Sequence, residues 1–87
     1  MSYRIELAPG LDKQLRKIPK QQRLRLVGAI ELLGLDPRPP GAKMLRGGQH
    51  GLWRVRVGDY RIVYVIDDGV LRVLVLRIGH RREVYAS

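Results

Sequence analysis

Cysteine is absent from the 87 residues, so neither a disulfide nor a thiolate metal site can brace the fold. Histidine is scarce as well. His50 and His80 are its two occurrences, too few for a His-rich metal centre, and the sequence predicts no metal and no cofactor. No segment approaches the roughly 18 apolar residues that a membrane span needs. The opening MSYRIELAPG lacks the layout of a signal peptide. These absences, with cysteine usage compatible with a reducing compartment, predict a soluble cytoplasmic protein with no membrane partner. Acidic residues are also few. Eight Asp and Glu stand against 17 Lys and Arg, a net charge of +9, and such an excess points to a polyanionic partner. Thirteen of the basic residues are arginine and four are lysine. That bias suits phosphate recognition, because guanidinium is a rigid fork of donors. Arginine-rich codon usage would also produce the bias, but not the net charge.

What is present reads as one domain, residues 1–87, of a size that buries about 60–65% of its unfolded surface. Tyr3, Ile5 and Leu7 alternate with Arg4 and Glu6, a short half-buried strand closed by Pro9-Gly10. Leu11, Leu15 and Ile18 then take helical spacing, with Asp12, Lys13, Gln14 and Lys17 on the outer face. Pro19 suits the first turn of a second helix. That helix is predicted to run to Leu35 with Leu26, Val27, Ile30 and Leu33 buried, and DPRPPG (36–41) ends it. A loop containing AKMLRGGQHG leads to three strand-like runs, 52–57, 60–67 and 70–78. Gly58-Asp59 and Asp68-Gly69 are read as their hairpin turns. The predicted fold is α+β, in the order β-α-α-β-β-β. A helix hairpin covers one face of a small, mostly antiparallel four-stranded sheet.

A two-residue turn at Gly58-Asp59 sets a register. Val57 would face Tyr60, Val55 would face Ile62 and Trp53 would face Tyr64, one apolar face for the helices. On the other face Arg54 would oppose Val63, and Arg56 would oppose Arg61. Like charges paired across strands are destabilising, within a scale of roughly 0.2–1 kcal/mol. Either these arginines splay into water or an anion lies between them. A one-residue slip would expel Trp53 and Tyr64 from the core. Topology also returns the C-terminal GHRREVY to this end, gathering Arg54, Arg56, Arg61, His80, Arg81, Arg82 and Tyr85. Cationic forks, an imidazole and a ring make an RNA site, with phosphates on arginine and an unstacked base on tyrosine.

Several stretches together resemble the RelE branch of the RelE/ParE toxins of type II toxin–antitoxin systems. They are YRIELAP, LRKIPK, DPRPPGAKMLRG, WRVRVGDYRIVY and LRIGHRREVY, in this order over nearly the whole chain. GDYRIVY is the most specific of them. The resemblance implies a ribosome-dependent, metal-independent endoribonuclease that cleaves messenger RNA in the A site. In such toxins the 2′-hydroxyl attacks the adjacent phosphate, leaving a 2′,3′-cyclic phosphate and a 5′-hydroxyl. The reaction needs a proton acceptor, stabilisation of phosphate charge and a proton for the leaving oxygen. The resemblance assigns phosphate stabilisation to Arg61, charge stabilisation or proton donation to Arg81, and base stacking to Tyr85. Arg54 and Arg56 fall where well-studied relatives carry two lysines, one of them proposed as the base.

Arginine is a very poor proton acceptor. Three options follow: the arginines only stabilise charge, His80 is the base, or turnover is weak. Arg46, Arg82, Lys13, Lys17 and Lys20 are candidate RNA contacts, the lysines within a basic helix hairpin that also carries Arg16, Arg23 and Arg25. Trp53 reads as core and His50 as loop. The resemblance further implies a cognate antitoxin covering the second sheet face, ribosomal RNA and messenger RNA as partners, and promoter DNA only through the toxin–antitoxin complex. Two other readings compete: a ParE-like inhibitor of DNA gyrase, and an RNA-binding homologue without activity.

Overall fold

Alternating and helical spacings each find their element in the computed structural model, which describes residues 2–46 and 51–80. The order is β1 (Arg4–Leu7), α1 (Leu11–Lys17), α2 (Lys20–Leu35), β2 (Lys43–Arg46), β3 (Leu52–Val57), β4 (Tyr60–Asp67) and β5 (Arg72–His80). The sheet has five strands in the order β1-β5-β4-β3-β2, one more than the sequence predicts. The extra strand is β2, inside the segment read as loop. It pairs antiparallel with β3 through Lys43↔Arg54 and Met44↔Trp53. Lys43, Met44 and Leu45 are all exposed, so backbone pairing rather than burial makes this edge strand, and no alternation betrays it. β1 pairs parallel with β5, which makes the αα-hairpin a crossover from one sheet edge to the other.

Gly58-Asp59 is the predicted two-residue turn, with Val57 paired to Tyr60. Gly58 has φ +61°, the left-handed start that matches the twist of the flanking strands. The second turn differs from expectation. Its loop is residues 68–71, and β5 opens at Arg72 rather than Val70. The Asp67 carboxylate accepts a hydrogen bond from the Gly69 N–H at 3.1 Å, and Leu71 takes φ +54°. This local side-chain bond holds a longer loop in place of the two-residue turn.

Leu11, Leu15, Leu26, Ile30 and Leu33 of the helices pack on Ile62, Tyr64, Ile66, Val73, Val75 and Ile78 of the central strands. Val27, expected in this stripe, is 36% exposed. Gly34 turns inward instead. Its carbonyl accepts the Tyr3 N–H at 2.6 Å, and a Cβ there would lie 3.1 Å from the Tyr3 carbonyl oxygen. Gln14, predicted on the outer face, is part-buried and donates to the Ile78 carbonyl. The loop after α2 is pinned to the sheet. The buried Tyr64 hydroxyl donates to the Pro37 carbonyl at 2.7 Å. Arg38 reaches both oxygens of Asp68, at 3.2 and 2.9 Å, and its guanidinium lies 5.4 Å from the Trp53 ring centroid.

One irregularity decides which side chains meet. Between β4 and β5 the register shifts, with Val63 opposite Arg77 but Tyr64 opposite Val75. Leu76 is thus an extra residue, a β-bulge. Strict alternation from Val73 and Val75 would bury Arg77 and turn His80 to the other face. The bulge reverses both.

Candidate nucleic-acid interface

The sheet face away from the helices is built in cross-strand rows. Arg56, Arg61 and Gly79 form the row nearest the Gly58-Asp59 turn. Lys43, Arg54, Val63 and Arg77 form the next. A third row, Arg46, Leu52, Val65, Leu74 and Glu6, is apolar in its middle three positions. Beyond it Arg4, Arg72 and Asp67 are mutually compensated with Glu6, through Arg72–Glu6 and Arg72–Asp67 pairs at 3.7 Å and an Arg4–Glu6 pair at 3.5 Å. The face is therefore divided. One end balances its own charges, and the other sets five cations, Lys43, Arg54, Arg56, Arg61 and Arg77, in two adjacent rows with no acidic residue among the described positions of those rows.

The predicted register is borne out: Arg56 stands opposite Arg61, and Arg54 opposite Val63. Splaying into water, one of the two ways out of this repulsion, does not describe Arg61. It is only 3% exposed, the single buried charged side chain among the described residues, whereas Arg56 is exposed. A guanidinium withdrawn from water is costly and acts on its surroundings through a lower effective dielectric. Opposite it in β5 stands Gly79, which places no side chain in that row. Such an arrangement can hold an anion of phosphate type and stabilise added negative charge on it.

Arg77 was missed in the sequence. Its signal is a charge at a position where two-residue alternation from Val73 and Val75 demands an apolar residue, the mark of a bulge. Lys43 was missed because its strand was missed. His80 moves the other way. It pairs with Tyr60 and meets that ring edge-on, centroids 5.6 Å apart, on the helix side of the sheet. The structure thus brings Arg54, Arg56 and Arg61 together and separates His80 from them, because the bulge at Leu76 shifts the pleat by one. Lys13, Lys17 and Lys20 are exposed on the helix layer, across the sheet from the arginines. Arg46 closes β2 at the sheet edge. Arg81, Arg82, Tyr85 and His50 lie outside the described residues. Among the described residues no group of three His, Asp or Glu could hold a metal, and no helix is long and apolar enough to cross a membrane.

Comparison with known proteins agrees with this architecture. Residues 5–85 match the family model of the ParE toxin of type II toxin-antitoxin system, parDE. Toxin RelE of Mycobacterium tuberculosis is 49% identical over 85 residues, covering 95% of this chain and 86% of that protein. Toxin RelG of the same organism is 33% identical over 86 residues, 98% of each chain. Among solved structures, the archaeal RelE–RelB complex from Pyrococcus horikoshii superposes with a TM-score of 0.84 at 27% identity, covering 93% of this chain and 97% of that one. The isolated E. coli RelE toxin gives 0.76 at 27% identity, covering 98% and 93%.

Proposed function

The chain belongs to the ParE-toxin family of type II toxin–antitoxin systems, in its RelE branch, and from that premise we propose that it is a ribosome-dependent endoribonuclease acting on messenger RNA. The observation that carries this reading is the buried Arg61 inside the five-cation end of the sheet. In the proposed reaction the 2′-hydroxyl oxygen attacks the adjacent phosphorus and the bond to the 5′-oxygen breaks. Negative charge on the phosphate grows through the step, and a preorganised guanidinium stabilises it most where water is excluded. Arg61 holds the reacting phosphate and Arg54 and Arg56 add charge from the facing strand, while Arg81 stabilises charge or protonates the leaving 5′-oxygen and Tyr85 stacks a base, as the family resemblance assigns them. Arg54, Arg56 and Arg61 act by charge alone. His80 faces the helix side, so the 2′-hydroxyl proton goes to solvent or to the ribosome, which also positions the message.

The natural partner in this reading is an antitoxin whose apolar and acidic side chains match the band Leu52–Val65–Leu74 and the cations beside it. RelE relatives are known in complex with RelB. Promoter DNA would be met through that complex, and action on ribosomes places the toxin in the cytoplasm. The family model carries the ParE name, which keeps gyrase inhibition as the second reading. Cleavage of a defined message on programmed ribosomes separates the two. The expected result is a cut within the A-site codon, faster as pH rises, and slowed roughly 10²–10³-fold in Arg61→Ala with circular dichroism unchanged. Uncut message together with inhibited supercoiling would favour the gyrase reading.

A further inference from the structure

On the helix side of the same sheet end lies a cleft of about 240 Å³, whose polar lining comes from Gln22, Arg25, Asp59, Tyr60 and His80. We propose that this cleft binds a second phosphate of the RNA strand, so that the strand rounds the Gly58-Asp59 turn from the arginine face to the helix layer. The inference rests on the RNA reading above and adds a site to it.

Position comes first. Tyr60 and His80 directly neighbour Arg61 and Gly79 along their strands and point to the opposite face. A single strand held at Arg56 and Arg61 therefore reaches the cleft by passing one strand end. The chemistry is that of an anion site. Arg25 from α2 supplies a guanidinium, Gln22 an amide, Tyr60 a hydroxyl and His80 an imidazole. Arg25 is seated by the turn itself: a Cβ on Gly58 would lie 3.2 Å from its Nη1, so glycine lets the guanidinium come down over the backbone. The bulge at Leu76 supplies the fourth group by turning His80 inward.

Asp59 opposes an anion here. Against it stand the Arg25 guanidinium and the Gln22, Tyr60 and His80 donors that line the same cleft. The volume suits a phosphate with its sugar and not a duplex.

The test is an NMR titration of the full-length protein with a 2′-O-methylated tetranucleotide, which cannot be cleaved. The expected result is movement of the Arg25 and His80 side-chain signals together with those of Arg54 and Arg56. Arg25→Ala should weaken binding roughly tenfold while the arginine-face signals still move. His80→Ala should weaken binding as well, with the arginine-face signals still moving. Movement confined to the arginine face overturns the cleft site. So does an acidic peptide that moves Arg25 and His80 where the oligonucleotide does not, or inorganic phosphate that moves them as strongly as the oligonucleotide. Ribosomal cleavage measured in parallel keeps the two readings apart: A-site cutting that persists without cleft signals removes the cleft and leaves the endoribonuclease standing.

Discussion

Arg77 and Tyr64 show how a single side chain can serve the site from opposite faces of one sheet. Arg77 shares a row with Arg54 and Lys43 but lies one row away from Arg61, a position for gripping a neighbouring phosphate rather than the reacting one. Arg77→Ala should raise KM about tenfold in the ribosomal assay with kcat nearly unchanged, the pattern of lost uniform binding. A matching fall in kcat would put Arg77 in the chemistry instead. Tyr64 is fully buried and bonded to the Pro37 carbonyl. Burial, its largest influence, pushes its pKa up to about 12. The folded value lies above the usual value near 10, so the stability tied to its neutral form is complete below pH 10 and is lost as pH rises toward 12. Tyr64→Phe should cost about 1 kcal/mol at pH 7 for the lost hydrogen bond, and that deficit should shrink in alkaline melts. A deficit that stays constant from pH 8 to 11 would show that the hydroxyl does not titrate with unfolding.

At the scale of elements, the helix hairpin and the sheet are joined where side chains are smallest. α2 meets β1 at Gly34, where the chain accepts a backbone hydrogen bond and leaves no space for a larger group. Gly34→Val should destabilise by about 1–3 kcal/mol through overpacking, read as a shifted urea midpoint with unchanged slope. Stability at or above wild type would mean that β1 can move away without loss. The exposed clamp of Tyr3, Arg38 and Asp68 lies beside this contact, because Tyr3 belongs to both. Arg38, first, and Tyr3 hold the Asp68 carboxylate down to about 2. Its contribution is therefore present above the ordinary carboxylate range and fades only as pH falls toward 2. Exposure and salt keep that contribution small.

For the whole molecule, charge is separated by layer. The +9 excess is divided between the arginine face and the exposed lysines of the helix layer, so a polyanion can meet cations on two sides. Under the proposed RNA binding, one phosphate on each of the five sheet-face cations, releasing about 0.7 counterion per single-strand phosphate, predicts a loss of roughly hundredfold in RNA affinity between 50 and 200 mM salt. Filter binding with an uncleavable oligonucleotide measures that slope. A slope near zero would remove phosphate contacts as the source of binding.

Sequence alone determined the two helices, four of the strands, the first hairpin and the pairing of Arg56 with Arg61, because strand alternation and a glycine turn are local properties read over a few residues. Charge excess and motif order likewise lay open in the chain, and they led to the toxin family before any fold was built. Three features belonged to the tertiary structure. β2 exists only because β3 offers it a ladder, and its exposed residues carry no pattern of burial. Arg61 is buried only in the assembled sheet. The bulge at Leu76 arises from matching β5 to β4 and to the helix core together, since Val73, Val75 and Ile78 cannot all face inward on an unbroken two-residue period. That one shift put Arg77 among the arginines and took His80 away from them, a choice no strand makes by itself.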